Sequence, residues 1–204
     1  MEGATRSVVW VKDDPFGVEF AEIGLARDRL TATGVAIAAV PVPYRLDYEI
    51  EIAPGFGTAR LGVVATGDGW ERTLALERDE DDWSIAVSEV GRVDLPPPGG
   101  DVTVIDDAAD FDLGLSPVTN LIPWRRRDLL NRRGPLELTV AWVSVPDLGV
   151  QPDGQRYTYL RSEGDEHLVA YEATDGTFAA DIRLDRDGIA IDYPGIARRL
   201  TGGS

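Results

Sequence analysis

Five arginines lie within nine positions of a chain that is otherwise strongly acidic. The chain carries 36 aspartates and glutamates against 20 lysines and arginines, for a net charge of −16. The clustered residues, next to an apolar run that includes Pro117 and Pro123, are Arg125, Arg126, Arg127, Arg132 and Arg133. The planar guanidinium fork suits bidentate binding of a carboxylate or a phosphate. The cluster therefore predicts either a site for an anionic group or an internal counter-charge to the acidic run at residues 106–112.

The other polar residues show no catalytic or metal-binding signature. The sole histidine, His167, has no second histidine and no cysteine to complete a metal site, and the sequence has no G-x-S-x-G elbow. Asp185-Arg-Asp-Gly188 lacks the first acid and the closing glutamate of a calcium loop, so a hairpin turn is expected there. Pairs such as Asp106-Asp107 arise from composition alone, and Gly55-Phe-Gly57 is too short for a phosphate loop. The sequence predicts no catalytic residue, no metal site and no cofactor.

Charge and residue usage limit the classes of partner. The net charge argues against nucleic-acid binding, which depends on neutralising phosphates with lysine and arginine. Lys12 is the one lysine, so arginine supplies the other basic residues. A surface rich in aspartate and poor in lysine favours adaptation to high salt, where screened carboxylates stay soluble. A GC-rich genome that favours arginine codons is the alternative. The absence of cysteine excludes thiol catalysis and disulfides.

The length and the N-terminal sequence predict one domain over residues 1–204, in a soluble cytoplasmic protein. The N-terminus has no basic leader followed by a long apolar run, so no signal peptide is expected. The longest apolar stretch, near residues 34–42, is far shorter than the roughly 20 residues that a membrane-spanning helix needs.

A repeat of two residues dominates the polarity of the chain and predicts strands. In Tyr44-Arg-Leu-Asp-Tyr-Glu-Ile-Glu-Ile52, apolar and charged residues alternate strictly, as in a strand with one buried face. Weaker alternation occurs at residues 70–78, 83–87, 136–142, 178–184 and 189–193. Turn residues follow at 66–69, 80–82, 175–176 and 187–188, and residues 96–100 form a surface loop. The pattern predicts a mainly β fold with an antiparallel sheet covered on one side.

The stretch before the arginines is the exception to this alternation. Ser116 suits a helix N-cap and Pro117 suits the first helical position, while Pro123 disfavours helix at Ile122. We therefore predict a short helix over residues 117–122. A second helix from Pro123 to Gly134 has too few apolar positions to be favoured.

Several segments together resemble the glycolipid-binding family, a group of prokaryotic proteins of about this length. They occur in the family's order and span nearly the whole chain. The most specific is Ser116-Pro-Val-Thr-Asn120 with Pro123 and Arg125-Arg126. The others are Val8-Val-Trp10, Tyr44-Arg-Leu-Asp47, Asp110-Phe-Asp-Leu113, Gln155-Arg-Tyr157 and Asp192-Tyr-Pro-Gly195. Two features depart from the pattern. Arg127 stands where an aliphatic residue is expected after the arginine pair. The lipoprotein carriers with which the family is compared are exported and have signal peptides, whereas no signal peptide is expected here.

The resemblance implies a fold and a kind of ligand. The fold is a spiral β-roll, in which one many-stranded antiparallel sheet curls around a short helix. The family is also similar to periplasmic carriers that hold acyl chains inside a curled sheet, which implies a lipid or glycolipid ligand on the concave face. Our hypothesis for the ligand-binding residues is Asn120, Trp124, Arg125 and Arg126, with the arginines on an anionic head group and Trp124 on the apolar chain. The alternative, in which the arginines pair with the protein's own acids, is favoured by the number of those acids. A homodimer is also expected.

Three hypotheses for function remain open. The first is a lipid or glycolipid carrier that performs no chemistry. The second is a structural or partner-binding β protein whose sheet interior is filled by its own side chains. The third is an enzyme whose acid and base are carboxylates, which would show a cavity that holds a carboxylate with a raised pKa.

Overall fold

The computed structural model describes residues 3–54, 58–80, 82–132 and 134–201 of the chain. Arg133 and the Gly55-Phe-Gly57 stretch lie outside the described residues, as does residue 81 of the turn predicted at 80–82. Within the described residues no helix is long and apolar enough to cross a membrane.

Fourteen strands of the described chain form one sheet. The first seven are β1 (Ala4–Lys12), β2 (Gly17–Leu25), β3 (Leu30–Ala38), β4 (Tyr44–Ile52), β5 (Thr58–Gly67), β6 (Trp70–Asp79) and β7 (Asp82–Gly91). The others are β8 (Asp110–Leu113), β9 (Leu136–Val143), β10 (Val150–Glu163), β11 (Glu166–Ala173), β12 (Ala179–Leu184), β13 (Ala190–Tyr193) and β14 (Ala197–Arg199). The α-helix α1 spans Leu121–Arg126, and short 3-10 helices span Val102–Ile105 and Leu129–Asn131.

The sheet is a long meander that brings the two ends of the chain together. Its order is β7-β6-β5-β4-β3-β2-β1-β14-β13-β12-β11-β10-β9-β8. Strand β14 pairs antiparallel with β1, so the C-terminal strand lies beside the N-terminal strand in the middle of the sheet. Strand β8 runs parallel to β9, whereas the other pairings are antiparallel. This confirms the predicted fold class, a single curled and mostly antiparallel sheet with a short helix.

The six predicted alternating stretches coincide with β4, β6, β7, β9, β12 and β13, to within a few residues at their ends. Strand β4 matches its predicted bounds in full, with every even-numbered residue buried. Alternation gives such strands because successive side chains point to opposite faces, so one face can be buried while the other stays in water.

The helix begins four residues later than predicted. Residues 117–120 form turns closed by hydrogen bonds from Leu121 N to Val118 O and from Ile122 N to Thr119 O. Helix α1 then starts after Asn120 and includes Pro123. Pro123 is tolerated because it lies in the first turn, where backbone N–H groups have no intrahelical acceptor. The predicted bounds of 117–122 were therefore wrong.

The segment between β7 and β9 fills the inside of the curl. This connecting segment, residues 92–132, contains β8 and α1. Its Ile105, Phe111, Leu121 and Ile122 join one hydrophobic cluster with the inward-facing residues of β1 to β7. A second cluster packs Trp124 and Leu129 against strands β9 to β13. The described inner face is therefore covered by the chain's own side chains.

A buried polar network joins the connecting segment to the sheet. The Lys12 ammonium lies 2.7 Å from Glu19 Oε2, and the two side chains are 4% and 0% exposed. Glu19 Oε1 accepts hydrogen bonds from the hydroxyls of Tyr48, at 2.7 Å, and Ser116, at 2.6 Å. Lys12 also donates to the Leu115 carbonyl at 2.7 Å. The network fixes residues 115–116 onto strands β1, β2 and β4.

Candidate functional site

A cleft of about 320 Å³ opens between the connecting segment and strands β9 to β13. Its lining combines aromatic rings with carboxyl and amide groups, which converge from distant parts of the sequence. The lining residues used below are Asp112, Asn120, Asp153, Tyr171, Asp175, Phe178 and Tyr193. A shallow apolar surface would not bring polar groups and rings together in this way, so the cleft is the strongest candidate for a ligand site.

Three rings form one wall of the cleft. The ring centroids of Tyr171 and Phe178 are 5.9 Å apart, those of Tyr171 and Tyr193 are 5.9 Å apart, and those of Phe178 and Tyr193 are 6.1 Å apart. The two tyrosines meet edge to face, an arrangement that the ring quadrupoles favour. Phe178 also packs over Gly195, where a Cβ atom would lie 3.2 Å from the ring. The wall is therefore apolar and closely packed.

A chain of hydrogen bonds forms the polar floor. Gln155 Nε2 donates to Asp112 Oδ2 at 2.9 Å and to Asp153 Oδ2 at 3.2 Å. The other oxygen of Asp112 accepts a hydrogen bond from the Thr119 hydroxyl. The Tyr157 hydroxyl lies 2.9 Å from Asn120 Oδ1 and 3.0 Å from Gln155 Oε1. Since that hydroxyl has one proton, it can donate to one of these oxygens at a time.

The burial of these groups changes their acidity. Burial raises the pKa of Asp112 to about 6, although the hydrogen bonds from Thr119 and Gln155 oppose the shift. Burial also raises the pKa of Asp153. Asp112 is enclosed by protein atoms, yet part of its surface remains open to the cleft. A carboxyl group whose pKa is raised to about 6 therefore lies at the floor of the cleft.

The cleft is acidic. Asp112, Asp153 and Asp175 line it, and among the described lining residues there is no arginine, lysine or histidine. Within the described part of the chain, no group of three or more metal-binding side chains is placed to hold a metal ion. The cleft thus offers hydrogen-bond acceptors and rings, and it offers no side chain that would neutralise a bound anion.

The structure brings one of the four predicted site residues to this cleft. Asn120 lines it. Trp124 is buried, with its ring 5.2 Å from the His167 ring, and it packs over Gly188. Arg125 donates a hydrogen bond to the carbonyl of Ala26.

Arg126, like Arg125, makes its contacts within the chain. Arg126 forms an ion pair with Asp110, whose side chain is buried, and donates to the carbonyl of Ala109. Asp110 belongs to the acidic run at residues 106–112, as the counter-charge hypothesis requires for this arginine. Binding of a head group by Trp124, Arg125 and Arg126 stays a prediction.

Sequence reasoning missed most of the cleft residues, although a signal was present. Asp112, Asn120, Gln155, Tyr157 and Tyr193 all lie in the segments that carry the family resemblance. Those segments are far apart in sequence, but four of them meet at the cleft. Their convergence could have been proposed only with a topology that places β8, β10 and β13 on one side of the sheet.

A larger hollow of about 530 Å³ lies on the outer face of β3 to β7. Its outward-facing lining consists mainly of small residues such as Gly62, Ala75 and Ser88, with Asp47 and Glu49 on one side. Among its described lining residues the one aromatic, Tyr48, is buried and points inward. We therefore consider the smaller cleft to be the better site.

Residues 7–199 match the model of a family described as "Putative glycolipid-binding", and the chain belongs to that family. Among solved structures, the chain is similar to a beta-barrel-like protein of domain of unknown function DUF1849 from Brucella abortus. The two share 9% sequence identity and a TM-score of 0.48, over 95% of this chain and 93% of that chain. The curated proteins include no match to the chain.

Proposed function

We propose that this family member binds a glycolipid without transforming it, and that the cleft holds the sugar head group. Membership of a glycolipid-binding family supports a binding role. The observation that carries the proposal is the convergence of three rings and three aspartates in one cleft. The chain's own side chains fill the inner face of the sheet. We therefore expect the protein to enclose the head group of the ligand rather than its acyl chain.

The two walls of the cleft match the two kinds of surface on a sugar. The C–H face of a pyranose is apolar and can pack on the rings of Tyr171, Phe178 and Tyr193. Its hydroxyl groups can donate to Asp112, Asp153 and Asp175, and a hydrogen bond to an ionised acceptor is stronger than a neutral one. Each part of the lining therefore has a partner on the same small ligand.

Size and charge narrow the ligand further. A cleft of about 320 Å³ lies at the small end of the range for ligand pockets, so it suits a head group rather than a diacyl lipid. Three carboxyl groups would repel a phosphate or a uronic acid, and the described lining residues include no cation to compensate. The preferred head group is therefore uncharged or carries an amine.

Binding of short-chain glycolipids to matched variants tests the proposal. Octyl glucoside below its micelle concentration should bind, whereas octyl glucuronide, which adds one carboxylate, should bind much more weakly. Phe178→Ala should weaken octyl glucoside binding about two- to tenfold, the value of one aromatic contact. Phe16→Ala removes a ring that is 73% exposed and does not line the cleft, so it serves as the control. Equal affinity of Phe178→Ala and the native chain in calorimetry would remove the cleft from consideration.

A second candidate is a carboxylate-dependent glycoside hydrolase. Asp112 and Asp153 accept from the same Gln155 nitrogen at 2.9 and 3.2 Å, so the bonded oxygens are at most about 6 Å apart. Hydrolases that retain configuration use two carboxyl groups about 5–5.5 Å apart, one of them with a raised pKa. Turnover of aryl glycosides that is lost in Asp153→Asn would establish this activity. Under the binding proposal, no glycoside is cleaved and the variant changes affinity alone.

A further inference from the structure

The cleft contains a buried hydroxyl group that lacks a partner among the described residues. Tyr193 is 5% exposed and lines the cleft, and its ring belongs to the aromatic wall. In the part of the chain that the structure describes, no side chain or backbone group forms a hydrogen bond with its hydroxyl. The hydroxyl oxygen stays in contact with the open space of the cleft. Since a buried tyrosine hydroxyl usually has a hydrogen-bond partner, we expect the occupant of the cleft to supply it.

This hydroxyl lies near the carboxyl groups of the cleft. Burial raises the pKa of Tyr193 well above its usual value, and the negative charges of Asp112 and Asp153 contribute to the rise. Burial and the same two charges also raise the pKa of Tyr171. Both tyrosines therefore stay protonated at neutral pH. A donor group bound to one of these carboxylates is close to the Tyr193 oxygen, which can accept a further hydrogen bond from it.

Two of the aspartates each keep one oxygen for a ligand. Asp175 Oδ1 accepts hydrogen bonds from the hydroxyl of Thr177 at 2.7 Å and from its backbone N at 2.9 Å, and these bonds lower the pKa of Asp175. Burial raises the pKa of Asp153, and the charge of Asp175 adds to that rise. Among the described residues there is no donor to Asp153 Oδ1 or to Asp175 Oδ2. The two carboxylates thus repel each other and still have acceptor capacity.

We propose that the cleft recognises a head group with a positively charged amine, which donates to Asp153, Asp175 and the Tyr193 hydroxyl. The inference rests on the proposed function and names the class of head group. A primary ammonium group has three N–H donors and no acceptor, so it matches a set of three acceptors. Its hydrogen bonds to carboxylates are charge-assisted and therefore stronger than those of a neutral hydroxyl.

The rest of the lining favours an organic ammonium over the other possible occupants. A neutral sugar can donate to the same oxygens, but it leaves the repulsion between the two carboxylates in place, whereas an ammonium group removes it. Within the described residues, no three acidic side chains are close enough together to hold a metal ion. The rings of Tyr171 and Phe178 attract an ammonium group that lies over a ring face, which is how aromatic sites recognise such ligands.

Calorimetric titration with a set of octyl glycosides tests the proposal. The ligands are octyl glucoside, its derivatives with an amine in place of the hydroxyl at C2 or C6, and the uncharged N-acetyl forms of those amines. At least one amine should bind about tenfold more tightly than octyl glucoside at pH 7, and its N-acetyl form should lose that gain. Physiological ionic strength screens charges beyond about 8 Å, so the gain should come from groups near the amine.

Three variants separate a local site from general attraction to an acidic chain. Asp153→Asn keeps the shape of the side chain and should reduce the preference for the amine over octyl glucoside at least about threefold. Asp181→Asn is the matched control, because it removes the same charge from an exposed position on β12 that does not line the cleft. It should bind like the native chain. Tyr193→Phe keeps the ring and should weaken amine binding severalfold without lowering the Tm.

The outcomes distinguish this inference from the proposed function. If octyl glucoside binds and neither amine binds more tightly, the ammonium site is wrong and the proposed function stands. If Asp153→Asn or Tyr193→Phe keeps the full preference for the amine, the ammonium site is equally wrong. If an amine binds and octyl glucoside does not, and Asp153→Asn abolishes that binding, the ammonium site is supported and the sugar site is overturned. If none of the ligands binds, both proposals fail.

Discussion

Replacement of Lys12 by methionine is the sharpest test of how the chain holds its connecting segment. Lys12 and Glu19 form an ion pair at 2.7 Å, with exposed fractions of 4% and 0%. Methionine keeps most of the length of the lysine side chain and removes its charge. Glu19 then remains buried with the hydroxyls of Tyr48 and Ser116 as its hydrogen-bond donors. The variant therefore leaves one buried carboxylate without its counter-charge.

The expected loss of stability is large. Removal of one partner from a buried ion pair lowers the free energy of unfolding by about 3–5 kcal/mol. For a domain of this size, 1 kcal/mol corresponds to about 2–4 °C in Tm, so Lys12→Met should melt roughly 6–20 °C lower. Urea unfolding, followed by tryptophan fluorescence, gives the free energy, and circular dichroism gives the Tm.

Two further variants separate this explanation from a general packing defect. Lys12→Met with Glu19→Gln removes both charges, so it should be more stable than Lys12→Met alone. Arg45→Met breaks the exposed pair with Asp47 and should leave the unfolding curve unchanged. A loss below about 1 kcal/mol for Lys12→Met, or a double variant no more stable than the single one, would refute the role assigned to this pair.

Two other predictions concern the cleft and the arginines. Because burial raises the pKa of Asp112 in the folded chain to about 6, above its usual value of 3.8, its protonated form stabilises the fold at low pH. That contribution, up to about 3 kcal/mol, is lost as pH rises through 6, so urea unfolding from pH 4 to 8 should show a fall that Asp112→Asn lacks. A constant difference between the two chains would contradict this. Arg125→Gln with Arg126→Gln should lower the Tm, because Asp110 loses its partner, and should leave octyl glucoside binding intact; loss of binding without loss of stability would instead support the head-group hypothesis.

Much of the sheet could be predicted because burial on one face requires apolar and polar residues to alternate along each strand. Strand β4 was predicted residue by residue, since its neighbours on both sides keep the same face inward. Strand β10 shows why this fails elsewhere. It contains Pro152 and Gly154, residues that favour turns, yet both pair within the sheet with β9. Pairing with an adjacent strand decided the structure there, and a local pattern does not show which strands will be adjacent.

The cleft could not be predicted for a different reason. Asp112 and Gln155 are 43 positions apart in sequence, and their hydrogen bond exists because β8 and β10 both pair with β9. The raised pKa of Asp112 depends on the same assembly, since burial is its largest cause. The third hypothesis named such a carboxyl group as its distinguishing feature. The strand pairing identifies Asp112 as that carboxyl group.

The most specific stretch of the sequence supports the cleft through hydrogen bonds within the protein. Each polar side chain of Ser116-Pro-Val-Thr-Asn120 has a partner within the protein: Ser116 bonds to Glu19, Thr119 to Asp112, and Asn120 to Tyr157. The first contact holds the segment on the sheet, and the other two orient the floor of the cleft. Because Glu19 depends in turn on Lys12, a change at Lys12 should reach the cleft as well as the core. We therefore expect Lys12→Met, at temperatures where it remains folded, to bind octyl glucoside more weakly than Arg45→Met does.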